Sequence, residues 1–241
     1  MENPLHHFEL HPWIPLSLFG IDISINKAIV MMWIACGLVF LFFALATRGA
    51  SLVPRRIQSL AEMAVEFIRG MVVENMGELG HKFFPFVATL FFFVLFANLL
   101  GLIPGAYTVT SQLMVTGFFA LIVYGLSIIV GFVLHGTHFL SILAPAGTPG
   151  WLLPLMVPIE VISQLARPVT LAVRLFANMT AGHIILIVLF SLMMTAPIYL
   201  GWLPFGFTVA IYGLEVFVAF IQAYIFTILA CVYLGDAVKL H

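Results

Sequence analysis

Long stretches without Asp, Glu, Lys or Arg constrain the fold of this chain more than any other feature. None of these residues occurs between Lys82 and Glu160, and three further runs without them cover Ala28–Thr47, Leu175–Leu214 and Val216–Gly235. A helix that crosses a bilayer needs about 20 mostly apolar residues. Because lipid offers no hydrogen-bond partners to the backbone, such runs are expected to be helical. The alternation typical of a membrane β-barrel is missing.

The composition excludes two broad functional classes. Of the 241 residues, 63% are hydrophobic and 8% are charged, whereas a soluble domain has about 45–50% apolar and about 25% charged residues. So few charges cannot cover a water-soluble enzyme, and a net charge of -1 does not provide the basic face of a general nucleic-acid binder. Cys36 and Cys231 lie in apolar runs and form neither a disulfide framework nor a zinc-binding spacing.

We therefore predict an all-α polytopic membrane protein with five membrane-embedded helices and one interfacial amphipathic helix. The embedded helices are placed near 28–46, 84–103, 113–134, 158–195 and 207–235. Within one membrane domain, the expected segments are an outer segment 1–27, a first span 28–47, the interfacial helix 54–80, a helical hairpin 84–134, a loop 135–157 and a second hairpin 158–240. As one helix, residues 158–195 would measure about 57 Å, against a hydrocarbon core of about 30 Å. The last two helices are therefore expected to form a strongly tilted antiparallel hairpin, bent or interrupted at Pro168.

The charges that flank the first span predict the orientation of the chain. Arg48, Arg55 and Arg56 follow this span closely, whereas the preceding residues carry three acids and a single Lys27. The positive-inside rule then places the N-terminus outside. After five passes the C-terminus lies inside, and no cleaved signal peptide or transit peptide is indicated.

A polar stripe runs along the fourth embedded helix. At about 100° per residue, its polar side chains lie within an arc about 80° wide; they are Glu160, Ser163, Arg167, Thr170, Arg174 and Asn178. Arginine stays protonated, and holding it at mid-membrane costs about 2.5–3.5 kcal/mol on insertion scales. Arg174 is too deep to reach an interface easily, which predicts a functional role. Arg167 is expected to be structural, satisfied by Glu160 or by lipid headgroups.

The last helix carries two polar residues on one face, Glu215 and Gln222. If the hairpin turns near residues 198–199, Gln222 comes level with Arg174 and Glu215 comes level with His183. However, His183 lies about 180° from Arg174 on an ideal helix. Both side chains can face the same neighbour only if the helix is distorted, for example near Gly182.

These motifs resemble subunit a of F-type ATP synthases. The resemblance rests on the five-pass layout and on five sequence features: RPVTLAVRLFANMTAGH (167–183), NLLGLIP (98–104), PIEVIS (158–163), IQAYIF (221–226) after Glu215, and VYLGDA (232–237). It implies a stator with no catalytic chemistry of its own, which lies against a rotating ring of c subunits whose carboxylates carry protons. Some family members have the acid and the histidine exchanged between the positions of His183 and Glu215, which suggests a coupled pair.

The resemblance also implies roles for individual residues. Arg174 is then the essential arginine that faces the ring, with Asn178 and Gln222 close to it. The expected proton-path residues are His183, Glu215, Glu160 and Ser163, with Arg167 and Asn98 as supporting residues. The implied partners are the c-subunit ring, the peripheral-stalk b subunits, the remaining ATP synthase and the lipid membrane. No cofactor, metal or nucleic acid is implied, and the implied location is a bacterial inner membrane or, alternatively, the mitochondrial inner membrane.

Elementary electrostatics provides a mechanism for such a site. At about 4 Å and an effective dielectric constant of about 20, an arginine attracts a carboxylate by about 4 kcal/mol. A ring carboxylate that reaches Arg174 is therefore expected to release its proton into an exit path near Glu160 and Ser163. It then takes up a proton from an inlet path near His183 and Glu215 before it returns to lipid. Each proton that crosses 100 mV provides about 2.3 kcal/mol.

Two other classes of membrane protein also fit parts of the sequence. A stand-alone ion channel or secondary transporter would likewise place Arg and Glu at mid-depth. A membrane-embedded metalloenzyme is suggested by His135 and His138 in an HGTH sequence and by His6, His7 and His11 near the N-terminus. Zinc needs three or four ligands, and the HGTH pair has no nearby acid, so a capping or interfacial role is favoured for it.

Overall fold

The computed structural model describes residues 12–14, 17–18, 21–22, 25–48, 51, 53–103, 108–143, 151–195 and 202–239. In chain order these residues form β1 (Pro12–Ile14), β2 (Ser17–Leu18), β3 (Ile21–Asp22), β4 (Ile25–Asn26), α1 (Lys27–Thr47), α2 (Arg56–Met76), α3 (Phe84–Gly101), α4 (Leu113–His135), α5 (Leu153–Thr195) and α6 (Trp202–Val238). Short 3₁₀ helices cover Gly77–Lys82, Val109–Ser111 and Gly136–Leu143. The predicted all-α class is confirmed, with short paired strands added before α1. The N-terminal histidines and the turn predicted between the last two helices lie largely or wholly outside the described residues.

Five of the described helices are long and apolar enough to cross a membrane. They are α1, α3, α4, α5 and α6, and the mean hydropathy of their most apolar windows lies between 2.0 and 2.6. Many of their large apolar side chains are exposed, including Phe40 at 77% and Met114 at 87%. Such surfaces are stable only in an apolar solvent. The chain is therefore a membrane protein, as predicted.

The remaining α-helix, α2, has the amphipathic character predicted for residues 54–80. Its buried side chains include Ile68, Met71, Val72 and Met76, which recur at helical spacing on one face. The helix ends at Met76 and is followed by Gly77, whose φ of 68° lies in the left-handed region that glycine adopts without strain. The position of α2 at a membrane interface stays a prediction.

The structure corrects the loop predicted over residues 135–157. Gly136–Leu143 is a 3₁₀ helix, and α5 begins at Leu153 rather than at Pro158. A Cβ added at Gly131 would collide with the ring of Phe139, so the short helix packs where α4 has no side chain. The earlier start of α5 is compatible with Pro154, because the first turn of a helix needs no backbone N–H partners. Pro158 and Pro168 lie inside α5 without ending it.

The two last helices also differ in length from the prediction. The 43 residues of α5 correspond to about 65 Å of helix, and α6 begins at Trp202 rather than near Phe207. Pro204 lies in the first turn of α6, where a proline is tolerated. The strong tilt and the hairpin arrangement of these two helices stay predictions.

The chain divides into two compact units, and α5 and α6 each contribute to both. Unit 1 comprises Met1–Gly49, Phe92–Gln112 and Leu175–Tyr224. Its strands pair antiparallel, β1 with β4 and β2 with β3. Its helices α1 and α3 pack through buried Ala35, Ala97 and Leu100 and through an edge-to-face contact between Phe43 and Phe92, with ring centroids 4.8 Å apart.

Unit 2 comprises Ala50–Phe91, Leu113–Arg174 and Ile225–His241. The end of α6 approaches α2 closely at Gly235, because an added Cβ would lie 2.9 Å from the Asn75 carbonyl oxygen. The end of α6 also approaches α4, since His135 Nε2 lies 3.3 Å from the Val238 carbonyl oxygen. These contacts position the last turns of α6 beside both helices.

Candidate functional site

In unit 1, His183 and Glu215 line one cavity, as the predicted register of the last two helices requires. The cavity has a volume of about 160 Å³. Its polar lining consists of Asn178 and His183 from α5 and Glu215 from α6, and its remaining residues are Gly182 and apolar side chains. Two residues predicted for a proton path therefore face the same small space.

The Glu215 carboxylate is buried without a hydrogen-bond partner among the described residues. Both of its oxygens are inaccessible and unpaired within that part of the chain. It lies directly against Gly182, since a Cβ added at Gly182 would collide with Glu215 Oε1. A buried carboxylate without a partner is costly when charged. The cavity therefore holds an acidic side chain whose oxygens find no partner in the described part of the chain.

His183 is anchored from the segment that follows α3. Its Nε2 atom lies 2.8 Å from the hydroxyl oxygen of Thr108. Thr108 is 3% exposed, and its hydroxyl also donates to the Gly101 carbonyl oxygen at 3.3 Å. Thr108 is not among the predicted site residues, although it belongs to the mainly polar run TVTSQ (108–112), three residues after the NLLGLIP motif.

Two further predicted residues of unit 1 are buried amides. Gln222 is 9% exposed and Asn98 is fully buried. Asn98 Nδ2 donates to the Ala219 carbonyl oxygen at 3.3 Å, which joins α3 to α6. Asn178 places its buried Nδ2 without a hydrogen-bond partner among the described residues. The supporting role expected of Asn98 stays a prediction.

In unit 2, Arg174 is exposed. Within the described part of the chain, its guanidinium forms neither a hydrogen bond nor an ion pair. Ser163 and Thr170, which precede it on the same face of α5, are also exposed. A permanent charge on an otherwise apolar helix is thus left without a neutralising acid from the described residues.

Arg167 pairs with an acid that the sequence analysis did not select. Its Nη1 atom donates to Asp236 Oδ2 at 2.9 Å, and its guanidinium lies over the Tyr233 ring, 5.4 Å from the centroid. Glu160, the expected partner, instead accepts a hydrogen bond from Gln164 Nε2 at 2.9 Å. Seven residues separate Glu160 from Arg167, about 10 Å along a helix, so Asp236 across the helix contact is within easier reach.

The Arg167–Asp236 pair borders a second cavity, which lies wholly within unit 2. This cavity measures about 190 Å³ and is lined by Gln164, Arg167, Tyr233 and Asp236 together with Tyr124 and mainly apolar residues. Glu160 does not line it but is joined to its wall through Gln164. The predicted register of the hairpin places Ala230 rather than Asp236 level with Arg167, so this pair was not foreseen.

Among the described residues, the histidines of the HGTH sequence join no cluster of metal-binding side chains. Over the ranges that the structure describes, no group of three or more His, Cys, Asp or Glu residues comes together. His135 lies instead against the Val238 carbonyl oxygen. His6, His7 and His11 lie outside the described residues.

Comparison with known proteins gives a consistent result along almost the whole chain. The family described as ATP synthase A chain matches residues 29–235. The protein named ATP synthase subunit a from Magnetococcus marinus is 49% identical over 243 residues, which cover 99% of this chain and 94% of that protein. Its namesakes from Allorhizobium ampelinum and Xanthobacter autotrophicus are 48% and 47% identical, and each alignment covers 98% of this chain and 97% of the relative.

Proposed function

Because the chain belongs to the ATP synthase A chain family, we propose that it is the stator subunit through which protons cross the membrane in an F-type ATP synthase. In this role it lies against a ring of c subunits and is held by peripheral-stalk b subunits. The proposed location is a bacterial inner membrane, with the N-terminus outside and the C-terminus in the cytoplasm. The positive residues that follow α1 support this orientation.

The exposed guanidinium of Arg174 is the observation that carries the proposal. Its charge is permanent, and no described residue of its own chain neutralises it with an ion pair. A membrane arginine in this position needs an anion from elsewhere. Carboxylates on a rotating ring supply one: each is ionised while it faces Arg174 and loses its proton there. The same fixed charge keeps protons from passing directly between the two paths.

The inlet path is assigned to the cavity of unit 1 that His183 and Glu215 line. Histidine gains and loses protons near neutral pH, and the Glu215 carboxylate lies in the same cavity, so the two groups are coupled. Gln222 and Asn178 are proposed to lie between this path and the ring carboxylate. Their amides provide both donors and acceptors.

The exit path is assigned to the first part of α5 in unit 2. Glu160 and Ser163 are the residues proposed to receive protons there, and the Glu160–Gln164 hydrogen bond orients the first of them. The Arg167–Asp236 pair supports the wall of the neighbouring cavity. A proton released at Arg174 leaves along this polar edge of the helix.

Replacing Arg174 tests the proposal directly. Arg174→Ala is expected to abolish ATP-driven proton pumping in inverted membrane vesicles, while the subunit still assembles with the complex. Arg69→Ala is the matched control, because it removes another exposed arginine, on α2, and is expected to leave pumping intact. Normal coupled pumping by Arg174→Ala would reject the central role of this residue.

A stand-alone ion channel or transporter is distinguished by transport without partners. The purified chain in liposomes is expected to give no coupled pumping by itself. Substrate or ion flux through the isolated chain, at rates comparable to those of the whole complex, would favour the alternative.

A further inference from the structure

Thr108 is held against His183 by contacts of both its backbone and its side chain. The Thr108 carbonyl oxygen accepts hydrogen bonds from Ser111 Oγ at 2.7 Å and from the Ser111 backbone N–H at 3.2 Å. Its hydroxyl donates to the Gly101 carbonyl oxygen. A Cβ at Gly101 would lie 2.9 Å from that hydroxyl oxygen and closer still to the Thr108 methyl group. The absence of a side chain at Gly101 therefore leaves room for this arrangement.

The Thr108 hydroxyl has a single proton, and the direction of that proton determines whether the hydroxyl donates to His183 or accepts from it. A threonine hydroxyl has one proton to donate and lone pairs with which to accept. With its proton directed at the Gly101 carbonyl oxygen, Thr108 Oγ1 accepts from His183 at 2.8 Å. The neutral imidazole then carries its proton on Nε2, since only a protonated ring nitrogen can donate. The other nitrogen, Nδ1, holds the lone pair.

We propose that Thr108 is a positioning residue for His183: it holds the neutral imidazole in the Nε2–H form and leaves Nδ1 as the nitrogen that takes up and releases the transported proton. A hydrogen bond to one ring nitrogen selects the tautomer at the other. Uptake forms a bond between the incoming proton and Nδ1, and release breaks the same bond. Nε2–H stays donated to Thr108 throughout, so the ring does not need to turn over in each cycle.

The transport role of this arrangement rests on the proposed function, whereas the proposed tautomer depends only on the hydrogen bonds of Thr108 with His183 and Gly101. The two are therefore tested by different measurements. Solid-state NMR of the intact complex, labelled with ¹⁵N-histidine in lipid, distinguishes protonated from unprotonated ring nitrogens. A difference spectrum against His183→Gln identifies the signals of His183. In the unsubstituted protein at alkaline pH, Nε2 is expected to be protonated and Nδ1 unprotonated.

Three variants separate the hydroxyl from other effects. Thr108→Val removes the hydroxyl at nearly constant shape and is expected to mix the two tautomers, whereas Thr108→Ser restores the acceptor. Gly101→Ala retains the hydroxyl but displaces it, and is expected to give the spectrum of the valine variant. Thr110→Val is the matched control, because Thr110 is also buried nearby and its hydroxyl has no partner among the described residues.

Proton-driven ATP synthesis gives the functional readout, normalised to the amount of assembled complex. Thr108→Val is expected to lower the rate about two- to tenfold, the change that loss of one hydrogen bond produces, while Thr108→Ser and Thr110→Val stay near the unsubstituted rate. A wild-type spectrum with Nδ1 protonated would overturn the tautomer assignment. Equal rates for Thr108→Val and Thr110→Val, or equal loss in the valine and serine variants, would overturn the positioning role. Full ATP synthesis by His183→Gln would instead reject the proposed path and leave the tautomer result standing.

Discussion

Gly182 lies against the Glu215 carboxylate so closely that an alanine there tests the geometry of the proposed inlet directly. The added methyl group would collide with Glu215 Oε1 and would also crowd the carboxyl carbon. Because both residues lie inside helices, the collision is relieved only by a shift of the Glu215 side chain or of the helices themselves. We therefore expect Gly182→Ala to displace the buried carboxylate from its cavity.

The size of the effect follows from two opposing contributions to the free energy of unfolding. Alanine favours a helix over glycine by about 0.8–1 kcal/mol, whereas overpacking a buried site costs about 1–3 kcal/mol. The two nearly cancel at the lower limit, and at the upper limit Gly182→Ala destabilises the chain by about 2 kcal/mol. A comparison with a glycine in open space removes the helix contribution from this difference.

Gly213 provides that comparison, since it lies inside α6 in the same unit and a Cβ there would meet nothing within 4 Å. Gly213→Ala is expected to stabilise the chain slightly and to leave ATP synthesis unchanged. Thermal unfolding of the purified protein in lipid and proton-driven ATP synthesis in vesicles are measured for both variants. Gly182→Ala is expected to be less stable than Gly213→Ala by about 1–3 kcal/mol and to synthesise ATP more slowly.

A second substitution distinguishes a collision from other causes. Glu215→Asp shortens the side chain by one methylene and withdraws the carboxylate from the position of the new methyl group. Combined with Gly182→Ala, it is expected to recover part of the lost stability, so the two effects are not additive. Strict additivity, or a Gly182→Ala protein as stable and as active as Gly213→Ala, would refute the reasoning.

Two further substitutions examine the acids of the two units. Glu215→Gln is expected to slow proton-driven ATP synthesis more than it lowers the amount of assembled complex; unchanged synthesis rates would count against Glu215 as a proton carrier. Asp236→Asn breaks the ion pair with Arg167. The side chains of Arg167 and Asp236 are 30% and 45% exposed. A double-mutant cycle with Arg167→Gln is therefore expected to give a coupling of about 0.2–1 kcal/mol in the free energy of unfolding. Zero coupling would show that the two charges lie close together without contributing to the free energy of unfolding.

The membrane class could be predicted because it depends on local composition. A run without charged residues must bury its backbone polar groups in its own hydrogen bonds once it enters lipid, whatever its neighbours are. The same reasoning identified Arg174, since the cost of a charge in an apolar helix is a property of that helix alone. Helix ends were predicted less well. The first turn of a helix tolerates a proline, so α5 and α6 begin ahead of Pro154 and Pro204 rather than near residues 158 and 207.

The sequence predicted some, but not all, of the residue pairs that face each other between the last two helices. Glu215 and His183 were placed level with each other by counting from a single turn, and the structure brings both to one cavity. Counting succeeds there because two helices joined by a short connection have their register restricted. Counting failed for Arg167, because its long side chain reaches Asp236, about six residues beyond Ala230, which the predicted register places level with Arg167.

The sequence by itself determined that this chain is a polytopic membrane protein with an arginine on one of its apolar helices, because hydration and backbone hydrogen bonding act on each segment separately. Only the tertiary structure decided which side chains meet. Thr108 reaches His183 across 75 residues of sequence, and Asp236 reaches Arg167 across 69. Close contacts of this kind depend on how near two segments approach, as Thr108 does at Gly101 and Glu215 does at Gly182, and that distance is set by packing between segments rather than within them.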